Sequence, residues 1–165
     1  MTARQISFIV PGAAVPKGRA RARIAGKGEK RFIQHYTPAE TIKWEEAIAK
    51  RAGLQMQGAA LFTRPCEMQV TIWVEIPESW PKWKQEAAKR QDLAPTGTPD
   101  TDNVLKSISD AMNGVVFHDD AQVFQTTIMK LYATDGRGAR TLVTVRENWR
   151  CPHNITRKEQ LEFPA

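Results

Sequence analysis

The segment running from Glu67 to Ile76, EMQVTIWVEI, alternates without a break. Met68, Val70, Ile72, Val74 and Ile76 fall on one side and polar or mixed residues on the other. A period of two is the period of a β-strand, so this is a strand with one buried face. Such a strand constrains everything around it: its apolar face needs a cover, and its backbone needs neighbours. A chain of 165 residues has room for one such core. One domain is therefore expected over residues 1–149. A surface tail is expected over 150–165, where the apolar period is lost.

The rest of the chain supplies partners and cover. Gln5–Val10, QISFIV, reads as a strand stopped by Pro11-Gly12, and Arg31–His35, RFIQH, as a second. Thr37-Pro38-Ala39-Glu40 has the form of a capping box with proline at the first helical position. The helix it opens carries Trp44 and Ile48 one turn apart and is expected to end near Gly53. Ser79–Arg90 reads as a short helix with Pro81 in its first turn. Trp80 and Trp83 are expected against the body of the fold, and Lys82, Lys84, Lys89 and Arg90 on a solvated or positive face. Asp102–Met112 reads as a helix closed by Asn113-Gly114, with Val115–Phe117 extended after it. Residues 121–132 and 140–146 read as strands, joined through Asp135-Gly136-Arg137-Gly138 as a hairpin. The order β, β, α, β, α, α, β, β argues for an α+β fold: a mixed β-sheet with helices packed on it.

Several classes are excluded by composition. Cys66 and Cys151 are too few for a disulfide framework, and no Cys/His spacing suggests zinc. No apolar run approaches about 18 residues, so neither a signal peptide nor a membrane span is expected, and the cytoplasm is the expected compartment. The net charge of +6 is concentrated. Between Val15 and Arg31 stand Lys17, Arg19, Arg21, Arg23, Lys27, Lys30 and Arg31 against Glu29 alone. An anionic partner is implied, and the remainder of the chain is close to neutral.

Against this basic arm stands an acidic segment, PDTDNVLK at Pro99–Lys106, followed by HDDAQV from His118. On a helical wheel with Asp102 at zero, Lys106 falls at about 40° and Asp110 at about 80°. Val104, Leu105, Ile108, Ala111 and Met112 gather on the opposite side. Asp100, on extended chain two residues before Asp102, can point the same way. Carboxylates brought together repel unless a cation sits among them. Mg²⁺ suits one or two carboxylates together with a substrate phosphate. Each residue also has a plainer use. Asp100 or Asp102 can cap the helix, Lys106 can pair with Asp102, and Asp119-Asp120 can form a turn. His118 is a weak candidate base, and His35 and His153 have no evident role.

The run PDTDNVLKSISDAMNGVVFHDDAQV closely resembles the signature of RusA-type Holliday junction resolvases, a family of endodeoxyribonucleases. Met112 stands in place of the usual leucine. PKGRARAR with the following YTP, and Lys130-Leu131-Tyr132, resemble further family segments, so the likeness spans roughly residues 5–147. The resemblance implies a homodimer that cuts four-way junctions and other branched DNA with Mg²⁺, Mn²⁺ being the alternative ion. It implies Asp100, Asp102 and Asp120 as metal ligands and Lys106 as an essential lysine. Lys17, Arg19, Arg21, Arg23, Lys27, Lys30, Arg31 and Lys130 are then the expected DNA contacts. Two other classes stay open on the residues alone. One is a junction-binding protein without nuclease activity. The other is a phosphotransfer enzyme with a DxD metal site, for which no glycine-rich phosphate loop is present.

Overall fold

The computed structural model describes residues 4–18, 21–25 and 32–147. The expected tail at 150–165 and the basic residues Arg19, Lys27, Lys30 and Arg31 lie outside them. Among the described residues six strands and three helices follow in the order β1 (Gln5–Pro11), β2 (Arg21–Ala25), β3 (Phe32–Tyr36), α1 (Ala39–Met56), β4 (Cys66–Val74), α2 (Lys82–Lys89), α3 (Thr101–Met112), β5 (Val123–Tyr132) and β6 (Arg140–Glu147), with a 3-10 turn at Asp120–Gln122 before β5. Four strands form one mixed sheet in the order β1-β6-β4-β5. Only the β4–β5 pair is parallel. β2 and β3 form a separate antiparallel hairpin, with Arg21 opposite Tyr36 and Arg23 opposite Gln34. The α+β expectation holds.

One face of the sheet is covered. Ile6, Phe8 and Val10 of β1, Val143 and Val145 of β6, and Met68, Val70 and Ile72 of β4 meet Trp44, Ile48, Ala52 and Met56 of α1 and Val104, Ile108 and Met112 of α3 in one apolar cluster. Each helix contributes residues four apart, the spacing that keeps one face inward. Burial of each large side chain stabilises the fold by about 1.5–3 kcal/mol.

Several local expectations are corrected. β5 and β6 are not a hairpin, because β4 lies between them. The connector does turn as its sequence suggests. Asp135 Oδ1 accepts the Arg137 N–H at 3.2 Å, and Gly136 and Gly138 have positive φ. It carries the chain past the end of β4, however, and Arg140 grips Asp135 with bonds of 3.0 and 2.7 Å while lying over the Trp73 ring. The capping box before α1 does not form: Pro38 occupies the N-cap position and no side chain caps it. α1 runs three residues past Gly53, because Gln57 adopts the left-handed conformation and closes it, its N–H bonding to the Gly53 carbonyl. Trp80 packs edge-on against Tyr132, as expected of it, but Trp83 is 70% exposed. The cations of this region largely satisfy themselves locally: Lys84 over Trp80, Lys89 with Glu86, Arg90 with Asp92.

Candidate active site

α3 positions the acidic segment. Its apolar side is fixed by the buried Val104, Ile108 and Met112, which turns Asp102 and Lys106 out to solvent. Asp100 is the N-cap residue, in extended conformation (φ −69°, ψ 130°), and its side chain makes no capping bond. Its backbone carbonyl instead accepts the Val104 N–H at 3.0 Å. Among the described residues, no hydrogen bond or ion pair engages the side chains of Asp100, Asp102 or Lys106. The capping use of the two aspartates and the Asp102–Lys106 pair are therefore both absent. Two carboxylates stand uncommitted at the N-terminal end of a helix whose dipole there favours anions, with the uncommitted Lys106 ammonium one turn on from Asp102.

The third wheel residue behaves differently. Asp110 leaves the open side and pairs with Lys17 at 2.9 Å. The Lys17 ammonium also bonds Glu45 Oε1 at 2.7 Å, and that oxygen accepts the Ser107 hydroxyl at 3.0 Å. Burial works against the charge on Lys17, but the hydrogen bonds it donates to Glu45 and Asp110 outweigh it and hold the ammonium above its ordinary pKa. No spacing in the sequence announces Glu45 as a partner of Lys17, or Ser107 as the donor to Glu45. Lys17 N–H further donates to the Asn103 carbonyl at 2.9 Å. Gly18 lies so close to Pro38 that a Cβ would come within 2.9 Å of that ring. The base of the basic arm is thus tied to the first turn of α3 and to the start of α1.

Asp120 stands elsewhere. After α3, Val116 and Phe117 are buried, and Phe117 bridges back to Asn113 at the end of that helix. The Asp119 carboxylate accepts the Ala121 N–H at 2.8 Å, and Gln122 reciprocates by accepting the N–H groups of His118 and Asp119. The Gln122 amide also donates to the carbonyls of Phe62 and Arg64, which pins the turn to the segment before β4. Asp119 is therefore the turn-former. The exposed Asp120 side chain has no partner among the described residues, and His118 is exposed beside it. Pro99, ahead of α3, is held by Lys130 near the end of β5, whereas Phe117 bridges to Asn113 at the other end of α3 and leads into the turn before β5. Asp100 and Asp120 thus flank opposite ends of a twelve-residue helix, about 18 Å in length. Accordingly, no three metal-binding side chains gather among the described residues of one chain. Asp100 and Asp102 fit a hard cation on their own: they are oxygen donors, exposed and uncommitted, and Mg²⁺ needs only one or two carboxylates beside water and phosphate.

Lys130 sits on β5, half-buried, with its ammonium donating to the carbonyls of Gly97 and Pro99, the latter at 3.0 Å.

A mixed four-stranded sheet backing a helix with exposed acids and a lysine defines an α+β protein class. Comparison with known proteins gives the family. The family model described as Endodeoxyribonuclease RusA matches residues 11–146, and the chain belongs to that family. The uncharacterized protein YqaN of Bacillus subtilis (strain 168) is 33% identical over 135 residues, covering 80% of this chain and 91% of that protein. Among the described residues no helix is long and apolar enough to cross a membrane.

Proposed function

We propose that the protein is a Mg²⁺-dependent endodeoxyribonuclease, with Mn²⁺ as a substitute ion, which resolves Holliday junctions and related branched DNA by paired nicks. The observation that carries this reading is the uncommitted trio Asp100, Asp102 and Lys106 at the start of α3, in a chain of this family. A bound Mg²⁺ supplies polarisation of the scissile phosphate and a water acidic enough to attack at neutral pH. Asp100 and Asp102 hold the ion. Lys106, one turn from Asp102, lies where its ammonium can meet the charge that develops on the phosphoryl oxygens. The arm, with Arg19, Arg21, Arg23, Lys27, Lys30 and Arg31, tracks phosphates and supplies salt-sensitive affinity with little sequence reading. DNA as the substrate places this work in the cytoplasm of a bacterial or phage-infected cell.

Asp120 joins the same chemistry through a homodimer. Each chain presents acids at both ends of α3, so a two-fold arrangement can bring the partner's Asp120 to Asp100 and Asp102, and it produces two sites for two matched strands.

The reading is tested on a synthetic four-way junction with Mg²⁺ or EDTA, with duplex and flap DNA as controls. Asp102→Asn is expected to abolish cleavage and keep junction binding; full activity of that variant in Mg²⁺ would sink the proposal. Junction binding by wild type without any product in Mg²⁺ would favour a non-cutting binder. Mixing Asp102→Asn chains with Asp120→Asn chains, each inactive alone, restores single nicks if the acids are shared between subunits. It restores nothing if each site lies within one chain.

A further inference from the structure

We propose that Lys130 is a positioning residue: it fastens the connector ahead of α3 and thereby sets where the Asp100 carboxylate stands. This takes the place of the phosphate contact expected of Lys130, and it rests on the reading of Asp100 as a metal ligand. The strand register carries the first part of the argument. Lys130 pairs with Ile72 and Tyr132 with Val74, and Ile72 is fully buried under the helices. Side chains two apart on a strand share a face, so Lys130 and Tyr132 both lie on the covered side of the sheet, whereas Met129, on the other face, is 50% exposed.

The bonds carry the second part. The Lys130 ammonium donates to the carbonyls of Gly97 and Pro99, using two of its three donors. The Pro99 carbonyl belongs to the peptide group that leads into Asp100, and the Asp100 carbonyl is itself held by the Val104 N–H. Asp100 is thus fixed on both sides along the backbone, and only its side-chain torsions remain free. Two residues on, the Tyr132 carbonyl accepts the Gln91 side-chain amide at 2.9 Å, and the Tyr132 ring meets Trp80. Lys130-Leu131-Tyr132 therefore secures the connector between β4 and α3 at several points along one strand end. A lysine engaged in this way has one donor left, and its position is set by the two carbonyls it holds.

The experiment compares full-length wild type, Lys130→Met and Lys130→Arg. Lys130→Met keeps the apolar stem and removes the donors. Three readouts are taken: amide hydrogen exchange over residues 97–104 without metal, the cleavage rate at saturating junction across a Mg²⁺ titration, and junction affinity against salt. In Lys130→Met, exchange over 97–104 is expected to rise on the order of tenfold while α1 is unchanged. The saturating rate is expected to fall on the order of 10²-fold, as for a reacting group displaced by about 1 Å, and the Mg²⁺ requirement to rise. Affinity and its salt slope are expected to hold, and Lys130→Arg to recover part of the protection. Unchanged exchange over 97–104 would overturn the proposal. So would a salt slope reduced by about 0.9 with the saturating rate retained, the signature of a lost phosphate contact. Should Lys130→Met unfold, Lys130→Gln, which keeps a donor, carries the same measurements. If wild type cuts no junction, the nuclease reading fails, while the exchange arm still decides the role of Lys130 in holding Asp100.

Discussion

Replacing Lys17 by methionine separates a structural cation from a DNA-binding one. Its ammonium lies 2.7 Å from Glu45 and 2.9 Å from Asp110. Without it, two carboxylates face each other roughly 5 Å apart, a repulsion of about 3 kcal/mol at an effective dielectric near 20. The three side chains are 20–32% exposed, so solvent screening reduces the net cost to about 2 kcal/mol. In a chain of this size that lowers Tm by about 4–8 °C. The pH dependence has a definite sign. The folded pKa of Lys17 lies above its ordinary value of 10.5. Its contribution is therefore complete below that value and is lost as the pH climbs through the folded one. Thermal melts of wild type and Lys17→Met, followed by circular dichroism, should differ between pH 7 and 10 and converge only as the pH climbs through the folded pKa, above 10.5. Junction binding measured against salt should keep its slope. A wild-type Tm in the variant, together with a slope reduced by about 0.9, would refute the reasoning and return Lys17 to the DNA-contacting set.

Burial foremost, and then the nearby Glu147 carboxylate, push the Cys66 thiol up to about 11. In a Cys151→Ser background the native protein should resist iodoacetamide at pH 8 and label only on unfolding, with prompt native labelling counting against this. The associated stability, at most about 2–3 kcal/mol, is present below pH 9 and lost as the pH rises toward 11. Gln122→Ala strips partners from the N–H groups of His118 and Asp119 and from the carbonyls of Phe62 and Arg64. It should cost about 1–3 kcal/mol in a denaturant titration. It should also depress cleavage beyond what that loss of stability explains, since Asp120 sits on the turn; wild-type cleavage would count against a positioning role for the turn.

Local periodicity made much of the fold legible. The alternation of β4 and the apolar stripe of α3 appear where the sequence puts them, because each is set by burial of a single face, although β4 ends at Val74, short of the expected Ile76. What the sequence concealed is long-range. The turn at Asp135–Gly138 has every hairpin signal, yet whether two strands joined by a turn pair with each other depends on which strand inserts between them, and that is decided by β4, sixty residues earlier. The wheel likewise set Asp110 beside Asp102 and Lys106. A wheel describes one helix in isolation; Lys17, from the segment after β1, draws Asp110 into a bond between elements. Lys130 is a similar case. Its sequence context shows a cation, and only the register with Ile72 reveals which face of the sheet that cation serves.

Several carboxylates are answered within the chain: Glu45 and Asp110 by Lys17, Asp135 by Arg140, Asp92 by Arg90. Asp100, Asp102 and Asp120, like the exposed Glu40, Glu46, Glu75 and Glu78, have no ion pair among the described residues. Asp120 is kept about a helix length from the other two, roughly two Debye lengths at physiological salt, so the separate chain bears little of their mutual repulsion. On the proposed reading, that repulsion arises only when two chains bring the acids together, and a divalent cation with its phosphate offsets it. Dimer formation, metal binding and DNA binding are then thermodynamically linked, each strengthening the others by mass action. The monomer–dimer equilibrium should accordingly shift toward dimer with Mg²⁺, and Asp120→Asn should weaken that shift by removing the charge the cation answers.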